Sequence, residues 1–343
     1  IRDTLKSFYI LIKAMDQYIR FVFVTGISKF SKVGVFSTLN HLADLTMSPQ
    51  FAAALGITEE EIDNNLKEHV SDFAARLEID ETALRARMRN WYNGFCFVEG
   101  CPNVYNPFST LQLFYQQRFA NYWFETGTPT FLIKLLTERN YPISTLEHLV
   151  LKEIDFSSYE LEQLDIVPLL VQTGYLTIKD YEQTFGEETI YHLSYPNREV
   201  ENAFVTYLLS AFTQTERTLS RSHLYRLIAA LKQRDLAQVF LVLRVFFANV
   251  PYTLKVDAEA WYQTVFYIVF KMIGIETEAE VVTNDGRIDA VVALNNQIFI
   301  FEFKLDGTAE AALAQIQEKE YFQKYWLAGK PITCVGANFD TEK

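Results

Sequence analysis

A chain of 343 residues is too long for one ordinary core and points to two or three domains of globular, not disordered, composition. A net charge of -12, negative on both sides of Pro251, excludes a global basic field, so any contact with nucleic acid has to use a local patch or a metal. Three cysteines without a CxxC pattern read as reduced thiols, and with no signal peptide and no apolar run of the roughly 18 residues a bilayer span needs, a cytoplasmic protein with no membrane partner is expected.

The first residues read as a helix, with Phe8, Ile10, Leu11 and Met15 at helical spacing. Phe21-Val22-Phe23-Val24 follows, an apolar run of the kind that fills a buried parallel strand. It closes at Thr25-Gly26-Ile27-Ser28-Lys29, where open α/β sheets place ligand-contacting groups. A plain strand-to-loop turn is the simpler account of those residues. Ser48-Pro49 is a helix start, and Thr58 and Glu61 have capping-box spacing. Asp80-Glu81 opens a further helix that runs to about Trp91, and Asn93-Gly94 is a turn. Residues 103–107 read as a loop, with helix from Phe108 onward and a Gly/Thr-rich loop at 123–130. An apolar helix over Val167 to Val171 leads into a hairpin, Leu176 to Lys179 and Thr189 to Ser194, with Phe185-Gly186 in its turn. Helix followed by hairpin is the outline of a winged helix. A helical stretch then runs from about Glu199 to Asn249.

The chemistry concentrates in the last part of the chain. Residues 259–273 form a helix apolar nearly all round, hence buried, and Gly274 is expected to end it. A strand near Thr277 to Thr283, an Asn284-Asp285-Gly286 turn and a return strand from Arg287 to Val292 make a hairpin. After Asn295-Asn296 comes Gln297-Ile298-Phe299-Ile300-Phe301-Glu302-Phe303-Lys304. Strand alternation puts Ile298, Ile300, Glu302 and Lys304 on one face and Phe299, Phe301 and Phe303 on the other. Two charges on so apolar a strand have to pair or hold a metal, because an unpartnered buried ion costs several kcal/mol. Asp289, on the neighbouring strand, is a third charge in an apolar setting. Two readings stand at this point. In one, Asp289 and Glu302 hold Mg²⁺ or Mn²⁺ and Lys304 assists. In the other, Lys304 forms a plain ion pair with Glu302 or Asp289 at the sheet edge. The histidines, His41, His69, His148, His192 and His223, lack ligand spacing.

Asp289 followed by Glu302-Phe303-Lys304 resembles the PD-(D/E)XK nuclease signature, with Ile288 where the motif's proline stands. Gln317 and Tyr321, four apart on the helix expected after Asp306-Gly307-Thr308, resemble the Gln-x-x-x-Tyr element of some of these nucleases. Gln315 is a rival for that role, and Glu259 matches an accessory acid weakly. Further segments, at 23–32, 123–132, 172–178, 195–200 and 301–307, extend the likeness to a bacterial family that joins an AAA-ATPase-like domain to a C-terminal PD-(D/E)XK domain.

The resemblance implies an α/β and α+β multidomain protein: a remnant of an AAA-type α/β core at 1–55, a helical lid-like region at 56–160, a winged-helix-like and helical region at 161–250, and a restriction-endonuclease-like α/β domain at 251–343. It implies a catalytic set of Asp289, Glu302, Lys304, Gln315, Gln317, Tyr321 and Glu259, a metal held by Asp289 and Glu302, and a sensor-like Thr25. The family's phosphate-binding loop is not found, since Gly26-Ile27-Ser28-Lys29 has the wrong spacing. The chain, opening at Ile1 without methionine, reads as a fragment, and ATP binding is expected only of a complete protein. Besides purely ATP-driven remodelling, which the absent phosphate-binding loop makes untestable in this chain, two functions stay open. One is Mg²⁺-dependent cleavage of nucleic acid, DNA in the first instance. The other is a catalytically inactive domain that binds nucleic acid, a protein partner or a second copy of itself.

Overall fold

The computed structural model describes residues 2–26, 43–123, 130–139, 141–147, 149–152, 166–184, 188–248, 258–277, 280–283 and 289–340. The chain divides into two compact units, one of Ile1–Thr128 with Leu146–Glu201, the other of Pro129–Thr145 with Asn202–Lys343.

The first unit begins with helix α1 (Arg2–Ala14). The strand expected at 21–24 is absent, Phe21 and Phe23 are exposed, and Thr25 lies exposed in irregular chain. An apolar run becomes a strand only where a neighbour takes up its N–H and C=O groups, and among the described residues no strand pairs with it. A 3-10 turn, Pro49–Phe51, follows the Ser48-Pro49 signal. Helix α2 (Glu59–Asn65) starts on the expected capping box, with Thr58 Oγ1 accepting from the Glu61 N–H and Glu61 Oε2 accepting from the Thr58 N–H. Helix α3 (Lys67–Leu77) ends at Glu78 in the left-handed region, and α4 (Glu81–Tyr92) is capped by Asp80. Helix α5 (Pro107–Gln116) is capped by Asn106. Phe73, Leu84, Met88, Tyr92 and Leu113 join these helices in one core.

Helix α6 (Thr130–Glu138) belongs to the second unit. The first unit then resumes with β1 (Leu149–Lys152), α7 (Ile166–Gln172), β2 (Thr177–Gln183) and β3 (Thr189–Ser194). The helix and hairpin stand where expected, and β1 adds to them an antiparallel three-stranded sheet of order β1-β3-β2. Glu199, fully buried, accepts from the backbone N–H groups of Tyr122 at 2.6 Å and Trp123 at 2.9 Å. A buried carboxylate thus fixes the chain entering the Gly/Thr-rich segment; the hairpin tip at 185–187 and residues 124–129 lie outside the described residues.

The long helical stretch resolves into α8 (Arg198–Thr213), α9 (Arg217–Gln233) and α10 (Leu236–Phe247). The breaks fall at Gln214 and Arg234, both in the left-handed region. Helix α11 (Ala258–Thr277) is buried as expected but runs past Gly274, because the packing of residues such as Ile273 outweighs the roughly 1 kcal/mol a helical glycine costs. Strands β4 (Glu280–Thr283), β5 (Asp289–Ala293) and β6 (Ile298–Leu305) follow, then α12 (Ala309–Glu318) and β7 (Ile332–Phe339). The expected Asn284-Asp285-Gly286 turn lies outside the described residues. The sheet order is β4-β5-β6-β7, antiparallel up to β6, with β7 parallel to β6. Helix α11 covers one face, its Phe266 and Phe270 meeting Phe301 and Phe303 edge-on. Ile298 and Ile300 pack on the other face with Ile316 of α12. The split of β6 into two apolar faces is the one read from alternation.

Candidate functional site

Glu302 sits in the central strand β6 with 3% of its surface exposed. Its Oε1 accepts from Lys304 Nζ at 3.1 Å and from Gln315 Nε2 of α12. Lys304 Nζ also donates to Gln315 Oε1 at 2.5 Å, closing a three-membered polar ring. Lys304 is two residues further along the same strand face and its side chain is 30% exposed. The amine therefore lies between a buried carboxylate and the surface.

The other oxygen, Glu302 Oε2, is buried and has no hydrogen-bond partner among the described residues. A buried acceptor left unpaired costs about 1–3 kcal/mol, and more when charged. The Glu302–Lys304 ion pair exists, but it accounts for one oxygen only. An acceptor that is buried, anionic and unpaired fits the coordination demand of a hard divalent cation.

The position directly across the β5–β6 ladder from Glu302 is Asp289. Opposed positions in an antiparallel pair share a sheet face, so the backbone register alone brings the two acidic positions together. The side chain of Asp289 is outside the described residues, as is that of Glu259 in the first turn of α11. Among the described residues no three His, Cys, Asp or Glu side chains gather. His69 is exposed, His192 Nε2 lies 3.8 Å from a Glu182 oxygen, and His223 faces the Phe246 ring; His41 and His148 are outside the described residues.

On the opposite flank of Glu302, in the parallel ladder, stands Gly336 of β7. A Cβ there would meet Ala309 O at 2.4 Å and Leu313 N at 2.6 Å. The bare strand lets α12 lie directly on the sheet, and that close approach brings Gln315 to Glu302. Glycine inside a strand is the sequence signal for such an approach, but β7 itself was not foreseen, so Gly336 carried no meaning in the sequence.

Of the rival glutamines, Gln315 meets Glu302 and Lys304, while Gln317 is exposed. The shared helix face expected for Gln317 and Tyr321 does not form. Helix α12 stops at Glu318 and Glu320 takes a positive φ, so Tyr321 turns onto the Ile298–Ile300–Ile316 cluster.

Residues 257–343 match the model of the PD-(D/E)XK nuclease superfamily, and residues 1–36 match that of a predicted AAA-ATPase. The chain is 36% identical over 352 residues to the "Uncharacterized protein in vnfD 5'region" of Azotobacter chroococcum mcd 1, an alignment that takes in 100% of this chain. The chain spans 65% of the length of that relative. No solved structure matches it.

Proposed function

We propose, from the premise that residues 257–343 form a PD-(D/E)XK-type domain, that this domain cleaves phosphodiester bonds of nucleic acid with the help of Mg²⁺ or Mn²⁺. The observation that carries the reading is the unpaired, buried Oε2 of Glu302 opposite the Asp289 position, with Lys304 bonded to the other oxygen. Asp289 and Glu302 would hold the cation. The chemistry it supplies is a Lewis acid that activates water and offsets charge on the phosphoryl oxygens. Lys304 offers an ammonium toward an oxyanion on the exposed side of the site. Gln315 holds Glu302 and Lys304 in one orientation, the part of a supporting group around a ligand. Glu259 stays in the set by its place on α11, whereas Gln317, exposed, and Tyr321, packed on the Ile298–Ile300–Ile316 cluster, leave it. Nucleotide turnover belongs to the proposal only for a protein that carries the family's phosphate-binding loop; Thr25, exposed outside any strand, has lost the strand end on which its sensor-like reading rested, and the winged-helix reading of α7 with β1–β3 stays with the proposal.

The test is Mn²⁺ titration by calorimetry alongside nicking of a supercoiled plasmid. Wild type should bind Mn²⁺ and nick DNA only with a divalent cation present. Glu302→Gln, Asp289→Ala and Lys304→Ala should each abolish nicking, with Mn²⁺ affinity lost in the two acid variants. Nicking at the wild-type rate in any of the three would refute the assignment. DNA binding without Mn²⁺ binding would instead support a recognition domain that lacks catalysis.

A further inference from the structure

In a chain of 31 Lys and Arg against 43 Asp and Glu, the α9–α10 hairpin reverses the sign. Arg217, Arg221, Arg226, Lys232, Arg234 and Arg244 stand there against Asp235 alone, and α9 itself has no acidic residue. Leu224, Leu227, Ile228 and Leu231 bury one side of α9. Arg221, Tyr225 and Lys232 are exposed along one edge of that buried side, and Arg226 is exposed further round the helix. Among the described residues, Arg221, Arg226 and Lys232 make no ion pair. Cations on a solvated helix face commonly alternate with acids at i±4 spacing; here none is supplied.

The helix is also tied to the strand that carries the site. Gln297, fully buried at the start of the β6 strand, donates through Nε2 to Leu231 O at 2.6 Å and accepts through Oε1 from Arg234 Nε. Glu302 lies five residues further along. A buried amide thus fixes the C-terminal end of the basic helix against the sheet.

We propose that the exposed face of α9 is a docking surface for the phosphate backbone of duplex nucleic acid. Arg221 to Lys232 spans about 16 Å at the helical rise, of the order of a duplex groove width. Cations on a rigid helix at fixed spacing fit the regular charge of a duplex, and such contacts position a substrate without reading its sequence. The assignment of the polyanion rests on the nuclease reading; the charge pattern does not.

The experiment uses the full chain, a fluorescent 30-base-pair duplex and EDTA, so that binding is read without cleavage. Affinity is followed against salt for wild type, for R221Q/R226Q/K232Q, and for the conservative R221K/R226K. The triple variant should bind every duplex sequence more weakly, with a salt slope shallower by about 3, one for each phosphate no longer neutralised. The lysine variant should keep the wild-type slope. An unchanged slope in the triple variant, or wild type preferring poly-glutamate or a single strand to the duplex, overturns the proposal. Glu302→Gln separates the two readings. It should bind like wild type and not cleave, so retained cleavage sinks the nuclease assignment alone, and an unmoved salt slope in the triple variant sinks the docking surface alone.

Discussion

At the residue scale, Glu302 sets a cost against a use. Its carboxylate is buried with one oxygen unpaired, an arrangement that lowers stability by itself. Glu302→Gln keeps the shape and removes the charge, so in EDTA the variant should be about 1 kcal/mol more stable than wild type. Urea midpoints check this; a marked loss of stability would mean that the carboxylate is kept for its bond to Lys304 alone. Gly336 works the other way. Gly336→Ala forces a Cβ against the backbone of α12 and should cost about 1–3 kcal/mol, the range of an overpacked core. Because Gln315 rides on that helix, the same substitution should lower Mn²⁺ affinity, whereas an overpacked site far from Glu302 would leave the titration unmoved.

At the element scale, a charged cluster around Glu59 joins α2 to α4 and to Tyr105. Tyr105 donates to Glu59 at 2.7 Å, and Arg89 bonds the same oxygen at 2.5 Å. Burial works to raise the Glu59 pKa, but the bonds from Arg89 and Tyr105 and the charges of Arg89 and Arg85 outweigh it and hold the group below its ordinary value of 4.5. A depressed carboxylate stabilises the fold above the unfolded pKa and loses that contribution as pH falls through the lower folded value. Thermal melts followed by circular dichroism from about pH 3 to 6 should show wild type losing stability in the acid part of the range. Glu59→Gln should flatten that decline; a parallel curve would remove the role given to the cluster.

These same elements show what could be read from the sequence. The Thr58–Glu61 cap, the Asp80 cap, the β2–β3 hairpin and the two faces of β6 were legible because each is set by residues close in the chain. The Glu302–Lys304 pair was legible for the same reason. What was missed needs distant partners. Phe21 to Val24 looks like a strand, yet no described strand takes up its backbone. Gln315 and Gln317 could not be ranked, because the choice depends on how α12 rests on β7, and β7 itself was not seen. Gly274 looked like a stop because its burial partners are not local.

At the scale of the whole molecule, two compact units should respond separately to a ligand. Binding to the folded state alone stabilises by mass action, about 2.7 kcal/mol at a hundredfold excess over Kd. In calorimetry Mn²⁺ should therefore raise one transition, that of the unit holding Glu302, and leave the other where it is. Glu302→Gln should abolish the shift. A uniform rise in both transitions would point to non-specific ion effects on an acidic chain.

The parallel pairing of β6 with β7 bears on when the site can exist. A hairpin pairs neighbours in the chain, but these parallel strands are joined by a crossover that carries α12 across the sheet. Until that crossover closes, Gln315 has no place beside Glu302, and Lys304 lacks its second partner. Contacts of long sequence separation form late and slowly. The polar ring around Glu302 is therefore a late arrival in the chain's assembly, complete only when the last strand has joined the sheet.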